Sequence, residues 1–454
     1  MSINILGALK RKLNSRVVNI LISISLLTLL FPGISILSFN NGHVIFSEFF
    51  NGVSLVENPK DIYPPSILRL DTLGQILLIS LSLIHVSKKE FFSLGLKSFI
   101  IFLFSSVGFF YSDFFSLSLH LKGLLQLLLM IFILASIEKI YDKLNVREAL
   151  NQFKFINSVA IILVFYGIYQ FIIFNTGCRS PSCSYGAILF FNNPSLIGYS
   201  AIHYDDGIYR ATSIFKEPSH FAFILTVIFL LNYSLVKKGV IKIQRKSQFL
   251  FFLILIFGII IARSLYVNIF LISFILFELY NLRVKIIYKY LFSVLLLPFI
   301  LISMDRLKHS LNLFVSISDH TLDASLKYRA YKIFTGLDVL ANNSFGIGFN
   351  NLSVYTSMHK VNLLTDNSNV LYVLNFYILQ LFVEAGYIGA ISVIVIFYLL
   401  NKRFFKVNGA IIFVIFFLFY QDLPIFSPLR IFQFVLMGLF LRLFILRNAL
   451  YPKL

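Results

Sequence analysis

Within "YRATSIFKEPSHFAFIL" (209–225), Arg210, Lys216, Glu217 and His220 fall inside eleven residues, at the mouth of an apolar run. Glu217 and His220 are three apart, the spacing that puts two side chains on one helix face. Either group can take a proton from a hydroxyl, and Arg210 supplies the fork that binds phosphate oxygens in pairs. Glu217-Pro218-Ser219 also reads as a helix start, because proline suits the first turn and a carboxylate suits the positive helix end. The cap and the base are both open readings of Glu217.

Arg263 in "FGIIIARSLYVNIF" sits between two apolar runs. A charge there costs a few kcal/mol unless it reaches water or a partner, roughly the value on insertion scales. It is either a snorkelling turn residue or an anion contact. Further on, "SLKYRAYKIFTGLDVLANNSFGIGFNNLSVY" places Arg329 and Lys332 on one face of an amphipathic helix. "FGIGFNN", with Gly346, Gly348 and Asn350, follows as a flexible glycine turn that would let backbone approach a ligand. "DNSNVLYVLNFYILQLFVEAGYIGA" then carries Asn367, Asn369 and Glu384 back into apolar sequence. Glu384 in that setting calls for a partner, and an outer-loop arginine is expected. Cys178 and Cys183 in "CRSPSC" are close enough to close a small disulfide loop in an oxidising compartment. Without a ligand-spaced histidine pair they do not make a zinc site, so no metal is expected.

The elements that must position these residues are membrane helices. Of the 454 residues, 58% are hydrophobic and only 13% charged, with mean hydropathy +0.85. That charge content is about half of what soluble domains carry. The net charge of +19 follows from the positive-inside rule and anionic lipid. No basic domain stands apart from the apolar runs, so nucleic acid is not an expected partner. The N-terminal "KRKLNSRVVNILISISLLTLLF" reads as a retained first span, not a signal peptide.

Runs long enough to span fall at about 17–38, 67–86, 91–111, 117–137, 156–174, 219–236, 249–262, 264–281, 290–304, 377–400, 407–423 and 429–446. The expected fold is therefore all-α, a single integral membrane domain over 1–454 with about 12 transmembrane helices. The seventh run is short and reads as a half-helix. Lys10–Arg16, Lys88–Lys89, Lys139–Lys154, Lys237–Lys246, Arg283–Lys289 and Lys402–Lys406 form a basic set of connections. This set alternates with cation-poor ones, which makes both termini cytoplasmic and turns the long connections 39–66, 175–218 and 305–376 outward. No GxxxxGK[ST] loop occurs, so chemistry is expected on the outer face, without ATP.

"RATSIFKEPSHFA" resembles the R-x-x-G-x-F-x-E-P-S signature of bacterial O-antigen and capsular polysaccharide polymerases (Wzy type), with Ser213 where glycine is common. "ARS" resembles the S-R turn of that superfamily, with Ala262 in place of serine. Arg329 with "NNSFGIGFNN", and "DNSNVLY…VEAGYIG", resemble its two later motifs in order and spacing. The resemblance covers about 200–400.

It implies a GT-C-like inner-membrane glycosyltransferase, metal-independent, without cofactor and with a large helical periplasmic loop. Such an enzyme joins undecaprenyl-pyrophosphate-linked oligosaccharides on the periplasmic face and releases undecaprenyl pyrophosphate. By that resemblance Arg210, Arg263 and Arg329, with Lys332, hold the donor pyrophosphate. Glu217 is the base and His220 the second candidate, Asn350, Asn367 and Asn369 line the glycan, and a single displacement inverts the anomeric carbon. Implied partners are membrane lipids, a chain-length regulator (polysaccharide co-polymerase) and a flippase. One alternative is an O-antigen ligase acting on lipid A-core, in which a histidine would stand within "DNSN". The other is a flippase for lipid-linked oligosaccharide, a transporter, which would spread its charges through a central cavity.

Overall fold

The computed structural model describes residues 15–30, 35–40, 43–46, 66–111, 115–176, 204–205, 208–215, 218–237, 239–240, 245–264, 267, 324–359, 377–400 and 428–450. Most of the described residues are helical. It divides into two compact units, one formed by 1–84, 138–303 and 431–454 and the other by 85–137 and 304–430.

In the first unit, α1 (Ser15–Leu29) is shorter than the span expected over 17–38. Pro32 and Gly33 follow in the sequence, and helices end at or before the residue preceding a proline. Residues 35–40 are instead a strand, β1 (Ser35–Asn40), flanked antiparallel by β2 (His43–Phe46) and β3 (Ser66–Arg69). The expectation of an all-α chain is corrected here: the margins of the 39–66 connection form a small sheet, and β3 runs straight into α2 (Leu70–His85).

In the second unit, α3 (Lys88–Ser105) begins with a capping box between Ser87 and Glu90 and ends in a single 3-10 turn, Val107–Phe110. Helix α4 (Leu117–Asp142) follows and runs on to residues of the first unit. There α5 (Val146–Asn175) starts with a second capping box, Asn145 with Glu148. At 30 residues it is about 45 Å long.

The chain then forms the two-residue strands β4 (Tyr204–Asp205) and β5 (Ile208–Tyr209), α6 (Pro218–Lys237) and α7 (Arg245–Ile261). The second unit resumes with α8 (Ala324–Asn342), α9 (Leu352–His359) and α10 (Tyr377–Leu400), and α11 (Pro428–Leu450) ends the described chain. The long connection 305–376 thus holds α8 and α9, and the seventh run is the 17-residue α7. The runs read at 290–304 and 407–423, and that at 264–281 apart from Ser264 and Val267, lie outside the described residues.

Among the described residues, five helices are long and apolar enough to cross a membrane: Lys88–Phe110, Leu117–Asp142, Val146–Asn175, Pro218–Lys237 and Ile378–Leu400. Four of them turn large apolar side chains outward, among them Phe92, Leu125, Ile162 and Ile391, while Pro218–Lys237 is mostly buried within its unit. A water-soluble surface rarely tolerates such a belt and a lipid-facing one requires it, which is compatible with a multi-pass membrane protein.

Helices α5, α6 and α7 form the core of the first unit. Glycines at the crossings set their spacing. A Cβ at Gly167 would lie 2.9 Å from the Phe221 ring, and one at Gly258 would lie 2.6 Å from Leu225 and 2.7 Å from Val164. Asn157 and Asn232 exchange amide hydrogen bonds of 3.0 and 2.8 Å across α5 and α6. These contacts make α6 antiparallel to both neighbours.

One end of this bundle is marked by polar contacts. Ser15 Oγ donates to Glu148 at 2.8 Å, Gln152 donates to the Asn19 carbonyl at 2.7 Å, and Arg442 donates to the Leu144 carbonyl at 2.6 Å and to Asp142 at 3.3 Å. The start of α1, the basic α4–α5 turn and α11 near its end therefore share one end of the unit.

Candidate functional site

The opposite end of that bundle carries the first sequence-predicted residues. Asn175, the last residue of α5, accepts the Tyr209 N–H at 2.8 Å, and the Tyr209 ring packs on Phe174 at 4.4 Å. The chain beyond β5 then crosses the end of α7. Ala211 N–H donates to the Ile261 carbonyl at 3.0 Å, and Arg210 Nε reaches the Ala262 carbonyl at 3.5 Å. The arginine of the first motif is thereby placed beside the residue preceding Arg263. Both side chains are half-buried.

The segment is held from beneath by a buried amide. Gln170 Nε2 donates to the Ser213 carbonyl at 2.8 Å, and its Oε1 accepts from Thr212 Oγ1 at 3.4 Å. Ser213 Oγ donates to the Leu163 carbonyl at 2.8 Å. A Thr212–Phe215 turn then leads to α6, where the Phe215 ring stacks on Phe221 at 6.3 Å. The positive end of α6 and the negative end of α7 thus lie under one crossing strand.

Two residues here have left-handed backbone, Ser213 at φ 53° and Arg263 at φ 49°. Glycine takes this conformation freely, while other L-residues give up about 1–2 kcal/mol. Arg263 occupies the position after a helix end where glycine is usual. Its N–H donates to the Ile260 carbonyl at 2.9 Å, closing α7. A cation suits the α7 dipole, but dipole complementarity alone does not call for a non-glycine residue at that φ. His220, in the first turn of α6, keeps a buried Nε2 with no hydrogen-bond partner among the described residues. Glu217, Cys178 and Cys183 lie outside the described residues.

The later motifs fall in the second unit. Arg329 and Lys332 are on α8, as the amphipathic pattern predicts, with Lys332 half-buried. The "FGIGFNN" segment differs from expectation. Helix α10 breaks at Gly386 (φ 69°, ψ 176°), and the glycine segment is stitched into the gap. Ile347 N–H donates to the Val383 carbonyl at 3.1 Å, Gly348 N–H to the Glu384 carbonyl at 2.8 Å, and Tyr387 N–H to the Ser344 carbonyl at 3.1 Å. Apolar surroundings require such replacement partners for a broken helix.

A Cβ at Gly346 would lie 2.7 Å from the Glu384 oxygen and would collide with the Gly386 nitrogen. The close approach these glycines permit is therefore to the chain's own backbone. Asn350 (φ 60°) turns the end of the segment, and its N–H lies beside the Glu384 carboxyl. Glu384 is fully buried, and its described side-chain partner is Gln380, at 3.1 Å, where an arginine was expected. Asn367 and Asn369 lie outside the described residues.

Three participants were not singled out from sequence. Asn351 clamps Ser116 by two bonds of 3.1 and 3.2 Å. His120 accepts the Phe349 N–H at 3.1 Å and meets Ser106 Oγ at 3.1 Å, between the Phe115 and Phe349 rings. Both of its ring nitrogens are occupied, so it is a neutral packing residue and not a free base. Gln170 is the third. Its signal was a lone amide in an apolar run, which a buried hydrogen bond must satisfy.

No family model, curated protein or solved structure matches the chain.

Proposed function

We propose that the chain is a polysaccharide polymerase, an inverting membrane glycosyltransferase that joins undecaprenyl-pyrophosphate-linked repeat units. The observation that carries the reading is the crossing of 209–215 over the end of α7, with Arg210 reaching the Ala262 carbonyl next to Arg263. Two arginines brought to one backbone crossing suit a pyrophosphate, whose charge grows as it leaves. Ser213 lends support as well. The related signature has glycine at that position, and Ser213 has the backbone conformation glycine favours.

In this reading an acceptor hydroxyl attacks the anomeric carbon of the donor sugar. The new C–O bond forms as the bond to undecaprenyl pyrophosphate breaks. Glu217 takes the hydroxyl proton, Arg210 and Arg263 receive the leaving charge, and the anomeric carbon inverts. The pyrophosphate bond supplies the energy. The resemblance assigns Arg329 and Lys332 to the same donor group, and Arg329→Ala tests that assignment separately.

About twelve spans, residence in the bacterial inner membrane, cytoplasmic termini and a periplasmic site belong to the same proposal. The basic α4–α5 turn lies at the other end of the α5 bundle from Arg210, as the positive-inside rule would arrange it.

The test is expression in a strain lacking its own polymerase but supplying the cognate repeat unit. The intact chain should restore a ladder of polymer lengths. Glu217→Gln should lose the ladder while single repeat units still reach the outer face. Restored glycan attachment without a ladder would make the chain a ligase, and loss of export would make it a transporter.

A further inference from the structure

Glu384 and Gln380 lie one turn apart on α10 and are linked by the 3.1 Å bond from Gln380 Nε2 to Glu384 Oε1. Their other oxygens, Gln380 Oε1 and Glu384 Oε2, are buried without a hydrogen-bond partner, and Thr335 Oγ1 on α8 is in the same condition. Exposure is 0% for Glu384, 3% for Gln380 and 0% for Thr335. Val339, one turn beyond Thr335, shares a buried cluster with Val383 of α10. The Thr335 face of α8 is therefore turned toward α10.

Three enclosed oxygens without a hydrogen-bond partner demand an occupant. A proton on Glu384 removes the charge, but its single O–H can serve only one of Gln380 Oε1 and Thr335 Oγ1. A water serves the oxygens but leaves a carboxylate charge inside an apolar span. A small cation does both, since oxygen ligands suit hard ions. One carboxylate matches one positive charge, and no group of three or more His, Cys, Asp or Glu occurs among the described residues to suggest a divalent ion. The helices packed against α10 are α3 and α8; α3 carries Lys88, Lys89, Glu90 and Lys97, and the described ionisable side chains of α8 include Lys332 and Asp338.

We infer that Glu384 and Gln380 hold a dehydrated monovalent cation, Na+ or K+, at the break of α10. The ion neutralises Glu384 and stiffens the crossing of the Gly346–Gly348 segment. The inference does not depend on the polymerase reading.

The test is thermal unfolding of the detergent-solubilised full chain, followed by light scattering, in NaCl, KCl or choline chloride at constant ionic strength. Na+ or K+ should raise the midpoint by about 2–5 °C over choline, saturably, as ligand linkage requires. Glu384→Gln should abolish the difference. Thr335→Val and Gln380→Leu should each shift the half-saturating salt concentration upward by about tenfold, the loss of one ligand's worth of affinity. Equal midpoints in all three salts would overturn the site, as would a Glu384→Gln protein that still distinguishes Na+ or K+ from choline. Should that variant not fold, an unchanged half-saturation in Gln380→Leu overturns it instead.

Discussion

Two backbone crossings invite comparison. In the second unit, the segment through Gly346 and Gly348 meets the break at Gly386, and three of the four positive-φ positions are glycine, Asn350 being the fourth. In the first unit, 209–215 crosses the end of α7, and the positive-φ positions are Ser213 and Arg263. Where backbone meets backbone most closely, at Gly346 and Gly386, the chain uses the residue that carries no penalty. Where it keeps an arginine in the same backbone state, it forgoes about 1–2 kcal/mol of stability. Strain retained at a charged side chain points to a use for that side chain. Asn350, the one other non-glycine residue described there, is of the type that tolerates this region best.

The comparison is broken most severely at the glycine crossing. Gly346→Ala drives a Cβ into the backbone of α10, and a loss of more than about 4 kcal/mol is expected, enough to abolish folded protein. Size-exclusion yield in detergent measures it, and a monodisperse variant of normal stability would refute the packing account.

Arg263→Gly should behave in the opposite way. Relief of the left-handed strain should leave the unfolding midpoint unchanged or raised by about 1–3 °C. Polymer formation should fall about 10²–10³-fold, the scale of losing one charge-stabilising donor. A variant that kept its activity would return Arg263 to the role of a snorkelling turn residue.

The smallest effect is expected at Ser213→Gly. The glycine relieves about 1 kcal/mol of backbone strain and forfeits a hydrogen bond of about 1 kcal/mol to Leu163, so net stability should change by less than about 1 kcal/mol. Activity should persist, because the backbone that carries Arg210 is unchanged. Loss of polymer in this variant would mean that the Ser213 hydroxyl, and not its φ, matters.

Much of the helical layout was legible in the sequence. An apolar run in lipid has one way to satisfy its backbone, so α3 through α7, α10 and α11 lie where hydropathy places them. The amphipathic spacing around Arg329 and Lys332 likewise anticipated α8. Composition could not show that the run over 17–38 changes from helix to strand, because apolar residues suit both and hydropathy does not separate them. Glu384 was recognisable as a charge needing a partner, but not that Gln380 and the Asn350 N–H would meet it.

The sequence by itself determined the residue types: arginines at apolar edges, a carboxylate and an imidazole at a helix start, glycines at fixed spacing. Those types define the available chemistry, because charge and hydrogen-bonding capacity are local properties of a side chain. Only the tertiary structure decided which of them meet. Arg210 and Arg263 are separated by 52 residues of chain and are joined by a strand crossing a helix end. Gly346 and Gly386 have no relation until α10 breaks. Contact across such distances depends on how neighbouring helices satisfy each other's freed backbone groups, which is a property of the packed molecule and of no single stretch of its sequence.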